Sequence, residues 1–80
     1  MLIKEAVVLR FQLICAERNI KYNELATLSG VTTSTVYSMM DAERKDLSII
    51  TIKKLCDELD MTICDFFNHN IFRTLEQEIK

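Results

Sequence analysis

The fold of this chain is decided by the stretch YNELATLSGVTTSTVYSMM, residues 22–40. Leu25 and Leu28 recur there at helical spacing, and the pattern stops before Gly30, the only glycine among the 80 residues. Glycine has no Cβ and adopts a positive φ at little cost, so the chain can turn sharply at this point. The stretch therefore predicts a helix over residues 22–29 that ends in a glycine turn.

A second helix can begin directly after this turn. Thr32 is a suitable N-cap, because its hydroxyl can accept a hydrogen bond from a free N–H of the first turn. Val36, Met39 and Met40 then supply an apolar face at spacings of three and four, which predicts a helix over about residues 33–41. Two short helices joined by a tight turn form a helix-turn-helix, whose second helix can enter a DNA major groove. The alternative interpretation is a pair of ordinary helices in a small bundle.

Length and composition favour one helical domain over residues 1–80. The chain is 49% hydrophobic and contains no proline and one glycine, so it should be almost entirely helical. No apolar run approaches the ~20 residues of a membrane span. The first residues include Glu5 where a signal peptide would be basic, so we expect a cytoplasmic protein with no membrane contact.

The cysteines and the histidine do not form a recognisable metal site. Cys15, Cys56 and Cys64 are an odd number without a Cys-x-x-Cys pair, and His69 is the only histidine. We expect no metal, no cofactor and free, largely buried thiols in a reducing compartment, with a redox switch as the alternative. His69 has no nearby partner in the sequence and is predicted to lie in a surface loop.

The charges are unevenly distributed along the chain. The net charge is −2, with five basic and four acidic residues in 21–54 and two basic and six acidic residues in 55–80. This balance argues against indiscriminate nucleic-acid binding. A DNA-binding protein with this charge distribution should depend on dimerisation as much as on charge.

Periodicity places three more helices around the central pair. The first runs from about Ile3 to Arg18, and Asn19 can end it in the left-handed conformation. Ser48 can cap a fourth helix over residues 49–59, and Thr62 can cap a short fifth helix. A last segment, residues 71–80, has an apolar helical stripe made of Ile71, Phe72, Leu75 and Ile79.

The first helix has a second apolar stripe that needs a partner. Its members are Leu2, Ala6, Leu9, Leu13 and Ala16. The C-terminal segment could pack on this stripe within the same chain, or a second copy could cover it. A symmetric dimer would place two recognition helices about one DNA turn, ~34 Å, apart. We expect a homodimer through the first helix, the C-terminal segment or both.

These features resemble the lambda repressor/Cro family, also called the xenobiotic-response-element family of bacterial and phage repressors. The matching residues are Leu25, Ala26, Gly30, Val31, Val36 and Met39, and the run 47–67 resembles the fourth and fifth helices of the family. The resemblance implies an all-α fold of five helices. Its helix-turn-helix would lie at helices 2 and 3, its core at about residues 3–67, and a short C-terminal helical extension at 71–80.

The resemblance also implies a function and a site. The function would be that of a sequence-specific regulator of transcription, a repressor bound to a double-stranded DNA operator. The residues expected to meet base edges are Thr33, Ser34, Tyr37 and Ser38, and those expected to meet phosphates are Tyr22, Thr32, Arg44 and Lys45. Glutamine is common in the family at positions 22 and 33 and is missing here. Specificity would then rest on hydroxyl contacts, ordered water and DNA shape.

A protein-interaction module is the rival interpretation. Such a module, antitoxin-like or an adaptor, would keep the fold with little DNA binding. The acidic balance and the missing glutamines favour it, whereas the glycine turn and the hydroxyl-rich helix favour DNA. An enzyme is not expected, because the sequence offers no acid–base pair, phosphate loop or activated nucleophile.

Overall fold

The computed structural model describes residues 1–44 and 46–79. Within these ranges the chain forms helices and no strand, in the order α1 Ile3–Arg18, α2 Tyr22–Ser29, α3 Thr33–Met40, α4 Ile49–Glu58 and α5 Ile63–Phe67, followed by one 3₁₀ turn, Asn70–Phe72. The predicted all-α, five-helix fold is confirmed. The bounds of α1 and α2 are those predicted, and α3 and α4 each end one residue earlier than predicted.

Three helices end with a residue in the left-handed conformation. Asn19, Gly30 and Asp60 have φ values of 56°, 71° and 55°. In each case the next N–H donates to a carbonyl five residues earlier: Ile20 to Cys15 at 2.9 Å, Val31 to Ala26 at 3.0 Å and Met61 to Cys56 at 3.0 Å. These are Schellman motifs, which satisfy the last carbonyls of α1, α2 and α4 and turn the chain sharply.

Hydroxyl side chains cap the N-termini of α3, α4 and α5, as predicted. Thr32 accepts from the N–H of Thr35 at 3.2 Å at the start of α3. Ser48 accepts from Thr51 at 3.2 Å at the start of α4, and Thr62 caps α5. Each cap satisfies a backbone donor that has no partner inside its helix.

The core is closed by the four phenylalanines of the chain. Phe11 and Phe66 are fully buried, with ring centroids 4.5 Å apart. Phe67 and Phe72 extend the cluster, with 5.0 Å between the rings of Phe66 and Phe67 and 4.9 Å between those of Phe67 and Phe72. The cluster joins α1, α5 and the 3₁₀ turn, so residues beyond the five-helix core still contribute to it.

The basic side chains of α1 bind carbonyls elsewhere in the chain. Lys4 Nζ donates to the carbonyl of Asp46 at 3.1 Å, and Arg10 Nε donates to that of Phe66 at 2.8 Å. Arg18 donates to the carbonyl of Leu59 at the end of α4. Cationic donors favour the carbonyl ends of helices, so Arg10 and Arg18 tie α1 to the ends of α5 and α4.

The prediction of a helix over residues 71–80 is wrong. Helical structure there is limited to the 3₁₀ turn, and residues 73–79 have no regular secondary structure, while Lys80 lies outside the described residues. The N–H of Glu76 donates to the carbonyl of Met1 at 3.0 Å, and Glu78 Oε2 accepts from the N–H of Ile3 at 3.2 Å. The tail, residues 71–79, thus hydrogen-bonds to the start of α1 instead of continuing as a helix. Its two glutamates would also be unfavourable near a helix C-terminus.

The tail therefore packs against α1 of its own chain, which was one of the two arrangements expected. The second stripe of α1 is buried only at its beginning. Ala6 is fully buried, whereas Leu13 is 43% exposed and Ala16 is exposed. Part of this stripe remains available to a partner.

Cys15 and Cys56 are buried free thiols, as expected, and Cys64 is exposed. Burial is the main cause that raises the pKa of Cys56 to about 11, and it also raises the pKa of Cys15. Both are therefore protonated at neutral pH. In the ranges 1–44 and 46–79, no group of three or more His, Cys, Asp or Glu side chains could hold a metal ion. No helix there is long and apolar enough to cross a bilayer.

Replacing Gly30 by alanine is expected to destabilise the fold by about 1 kcal/mol. A Cβ at this position would meet nothing within 4 Å, so the cost comes from the φ of +71° alone. Gly30→Asn is the matched control and should lose less, because asparagine tolerates this conformation at Asn19 of the same chain. Chemical denaturation measures both. An alanine variant as stable as the parent would contradict the strain at this turn.

Candidate nucleic-acid interface

One face of helix α3 packs against the core, and the opposite face is exposed to solvent. Val36 is fully buried and Met39 is 5% exposed, so one face of this eight-residue helix belongs to the core. Thr33 and Ser34 are exposed, and Tyr37 is 54% exposed. The predicted base-contacting side chains therefore lie on the solvent side of α3, except that Ser38 is half-buried.

Hydroxyl groups bond to one another at the N-terminus of α3. The Thr32 hydroxyl lies 2.7 Å from that of Thr35 and 3.3 Å from that of Ser34. Thr32 also accepts from the Thr35 N–H, so its main role is to cap the helix. Thr32 remains exposed beside the predicted base-contacting residues. Its cap orders the end of α3 that would approach a ligand first.

A groove of about 220 Å³ separates α3 from the start of α4. It brings together two predicted base-contacting residues, a predicted phosphate-contacting residue and three further hydroxyls, namely Ser34, Ser38, Arg44, Thr35, Ser48 and Thr51, and Asp46 also lines it. Hydroxyls and guanidinium groups are the usual donors to phosphate oxygens. The groove thus has suitable chemistry for a nucleic-acid backbone.

A second groove, of about 390 Å³, lies on the opposite side of α3. Tyr22 and Tyr37 both line it, together with Lys21. Burial raises the pKa of the half-buried Tyr22 phenol, nearby Cys15 raises it further, and a hydrogen bond with Gln12 lowers it in part. Tyr22 is thus a neutral phenol at neutral pH and can donate a hydrogen bond to a phosphate.

The charge beside α3 is modest. Arg44 is exposed, and its Nε lies 3.9 Å from Asp41 Oδ2. This distance is too long for a hydrogen bond but is within the range of an ion pair, and among residues 1–44 and 46–79 the guanidinium bonds to no other acceptor. Lys45, predicted as a second phosphate contact, lies outside the described residues. Lys21 adds an exposed cation on the other side of α3.

The structure brings most of the predicted residues to one surface. Thr33, Ser34 and Tyr37 lie on the open face of α3, while Tyr22 and Arg44 line the grooves on its two sides. Sequence reasoning did not select Lys21, Ser48 and Thr51 as site residues. Lys21 precedes a predicted phosphate contact, which could have indicated it. Ser48 and Thr51 reach the surface only because α4 begins beside α3, which no local pattern showed.

The fold agrees with a comparison against known families. The family model described as the Cro/C1-type HTH DNA-binding domain matches residues 10–70, more than half of the chain. The chain belongs to the Cro/C1-type family. The lambda repressor/Cro resemblance drawn from the sequence is thereby confirmed.

A solved structure supports the assignment to the Cro/C1-type family. The crystal structure of the prophage Lp1 protein 11 is similar to this chain with a TM-score of 0.82 at 30% sequence identity. The similarity covers 94% of this chain and 100% of that chain. No curated protein in the comparison matches the chain. The Cro/C1-type family is one of DNA-binding regulators rather than enzymes, so this chain is a helix-turn-helix DNA-binding protein.

Proposed function

We propose that this Cro/C1-type protein is a sequence-specific repressor of transcription that inserts α3 into the major groove of a double-stranded DNA operator. The observation that carries the proposal is the open face of α3. It presents Thr33, Ser34 and Tyr37 to solvent while Val36 and Met39 fix the opposite face to the core. A compact domain bound to the operator would exclude other proteins from the same stretch of DNA, which is why repression is proposed.

The chemistry of α3 indicates how it would select a sequence. Ser34 and Ser38 can donate to or accept from base edges, and the methyl of Thr33 can contact a thymine methyl. The exposed face of α3 has no arginine, asparagine or glutamine, so the bidentate pairings that discriminate bases most strongly are absent. The proposed specificity therefore combines hydroxyl contacts with ordered water and DNA shape.

We propose that phosphate contacts flank these base contacts. Tyr22 and Thr32 would donate hydroxyl hydrogen bonds on one side, and Arg44 with Lys45 would bind on the other. Tyr22 and Arg44 line different grooves, one on each side of α3, which supports contacts to both strands that border a major groove. Such contacts fix orientation and make binding dependent on salt.

A homodimer is part of the proposal. Leu13 in α1 is 43% exposed and Ile79 in the tail is 87% exposed, so both segments expected at the interface keep apolar surface. Two copies would add the binding energies of two half-sites. Dimerisation would thus compensate for the weak base contacts of a single α3. Sedimentation of the parent protein and of a chain that ends at Asn70 tests this directly, since only the parent should have the mass of a dimer.

A protein-interaction module is the second candidate function. The exposed isoleucines at the start of α4 favour it, since Ile49 is 59% exposed and Ile50 is 66% exposed. Adjacent exposed apolar side chains often mark protein contacts. A salt titration against random duplex DNA separates the two candidates. A regulator should bind weakly and lose affinity steeply with salt, and an interaction module should show no such binding.

Replacing Arg44 by alanine is expected to weaken binding to all DNA sequences alike. The slope of the logarithm of the binding constant against the logarithm of salt concentration should fall by about 0.9 per lost phosphate contact. Lys54→Ala removes the same charge from an exposed position of α4 and is the matched control, with a smaller expected effect. Equal changes in the two variants would indicate that binding depends on the overall electrostatic field of the protein rather than on a phosphate contact at Arg44.

A further inference from the structure

A buried lysine links α1 to the segment that joins α3 and α4. Lys4 is 5% exposed, and within residues 1–44 and 46–79 it is the only charged residue that is buried. Its ammonium donates to the carbonyl of Asp46 at 3.1 Å, across 42 positions of the sequence. An ion pair with Lys4 is absent among the described residues. Burying a cation costs free energy, and the hydrogen bond to the Asp46 carbonyl offsets part of that cost.

The same surface of α1 also lies near the beginning of this segment. Lys4, Val8 and Leu9 line a groove of about 150 Å³ together with Met40 and Ala42. Met40 is the last residue of α3, and Ala42 follows it by two positions. The bond to Asp46 attaches the joining segment to α1 two residues after Arg44, and Met40 and Ala42, which precede Arg44, border the same groove as α1.

We propose that Lys4 is a positioning residue for DNA binding: its bond to Asp46 fixes the joining segment so that Arg44 and the first turn of α4 are held beside a DNA phosphate. This inference rests on the proposed function. Lys4 cannot itself contact DNA, because its side chain is enclosed. Its effect would come from ordering the segment before DNA arrives, so that binding does not have to supply this order.

Two other basic residues of α1 make a close control possible. Arg10 donates to the carbonyls of Asp65 and Phe66, and Arg18 donates to that of Leu59. Like Lys4, they hold α1 to distant parts of the chain, but neither bonds to a described residue of the segment between α3 and α4. Removing either charge changes the field around the protein by the same single unit. Only the loss of Lys4 should release Arg44.

The test measures the salt dependence of binding to random duplex DNA for the full chain and its variants. Lys4→Met keeps an apolar stem of similar length and removes the donor. Its slope of log binding constant against log salt should be shallower than the parent's by about 0.9, the value for one lost phosphate contact. Lys4→Arg restores a cationic donor and should recover most of the parent slope. Arg10→Met should lower the thermal midpoint and keep the parent slope.

A double variant tests whether Lys4 acts through Arg44. Lys4→Met combined with Arg44→Ala should have the same slope as Arg44→Ala alone, since the contact is already lost. If the Lys4→Met protein does not fold, Lys4→Leu, which is also apolar and has no donor, gives the same comparison. A parent-like slope for the Lys4 variant, or an equal change in Arg10→Met, would overturn the inference while leaving the proposed function intact. A parent protein that shows no salt-dependent binding would overturn both.

Discussion

Replacing Phe66 by alanine is expected to lower the free energy of unfolding by about 3–5 kcal/mol, the range for removing a large buried aromatic side chain. Native domains have roughly 5–15 kcal/mol of stability in total, so the variant should lose a large part of its free energy of unfolding. Phe66 is fully buried and contacts the rings of Phe11, Phe67 and Phe72. It joins α1, α5 and the tail, and no neighbour can fill its volume without moving one of them.

Phe67→Ala is the matched control, because it removes the same atoms from the adjacent, half-buried position of α5. It should lose clearly less stability than Phe66→Ala, since less apolar surface returns to water. Phe66→Leu provides a foldable variant with an intermediate loss. Denaturant midpoints rank the three proteins. A Phe66→Ala loss no larger than that of Phe67→Ala would mean that the aromatic cluster does not organise the core.

Replacing Ser34 and Tyr37 together by alanine is expected to weaken specific DNA binding by about 2–6 kcal/mol, the sum of about 1–3 kcal/mol for each base contact. Both side chains are exposed on α3, and Tyr37 is 54% exposed, so their loss leaves the buried contacts of Val36 and Met39 in place. Alanine is also a good helix former, so α3 should persist. Binding to random DNA should change little, because phosphate contacts dominate it.

Cys64→Ala is the control for this pair, because it truncates an exposed, uncharged side chain of α5, outside the proposed DNA and dimer surfaces. It should bind a selected operator as tightly as the parent. Circular dichroism of each variant confirms that the helices are retained. A Ser34 and Tyr37 double variant that binds the operator like the parent would move the base-reading surface away from α3.

The helices could be predicted because their signals are local. The apolar spacing of Val36 and Met39, the cap at Thr32 and the turn at Gly30 are each encoded within a few residues. Asn19 was predicted to end α1 for the same reason. Asp60 was not foreseen as the left-handed residue after α4, because aspartate adopts this conformation less often than glycine or asparagine.

The conformation of the tail could not be predicted, because its hydrogen-bond partners are distant in sequence. Ile71, Phe72, Leu75 and Ile79 have helical spacing, yet Glu76 and Glu78 bond to the first residues of the chain. Periodicity reports which side of a segment is apolar, and it does not show what competes for the backbone hydrogen bonds. The carbonyl partners of the three basic residues of α1 could not be predicted either, because they are also distant in sequence.

The exposed face of α3 could be predicted from the sequence, but the grooves beside it could not. The face of α3 follows from the positions that are not apolar, so Thr33, Ser34 and Tyr37 could be named in advance. Ser48 and Thr51 became part of the site only through the packing of α4 beside α3. The charge count from the sequence also did not show which cations are available to DNA. The cations of α1 are bound to carbonyls, whereas others, such as Lys21, are exposed.

The ratio of two dissociation constants tests whether this protein is a sequence-specific DNA-binding regulator. Fragments that the protein selects from genomic DNA supply the operator, and a duplex of the same length and base composition with shuffled sequence supplies the reference. At physiological salt we expect the operator to be bound at least about 10³-fold more tightly, the lower end for specific DNA-binding proteins. Equal affinity for the two duplexes, or no binding to either, would contradict a sequence-specific DNA-binding regulator.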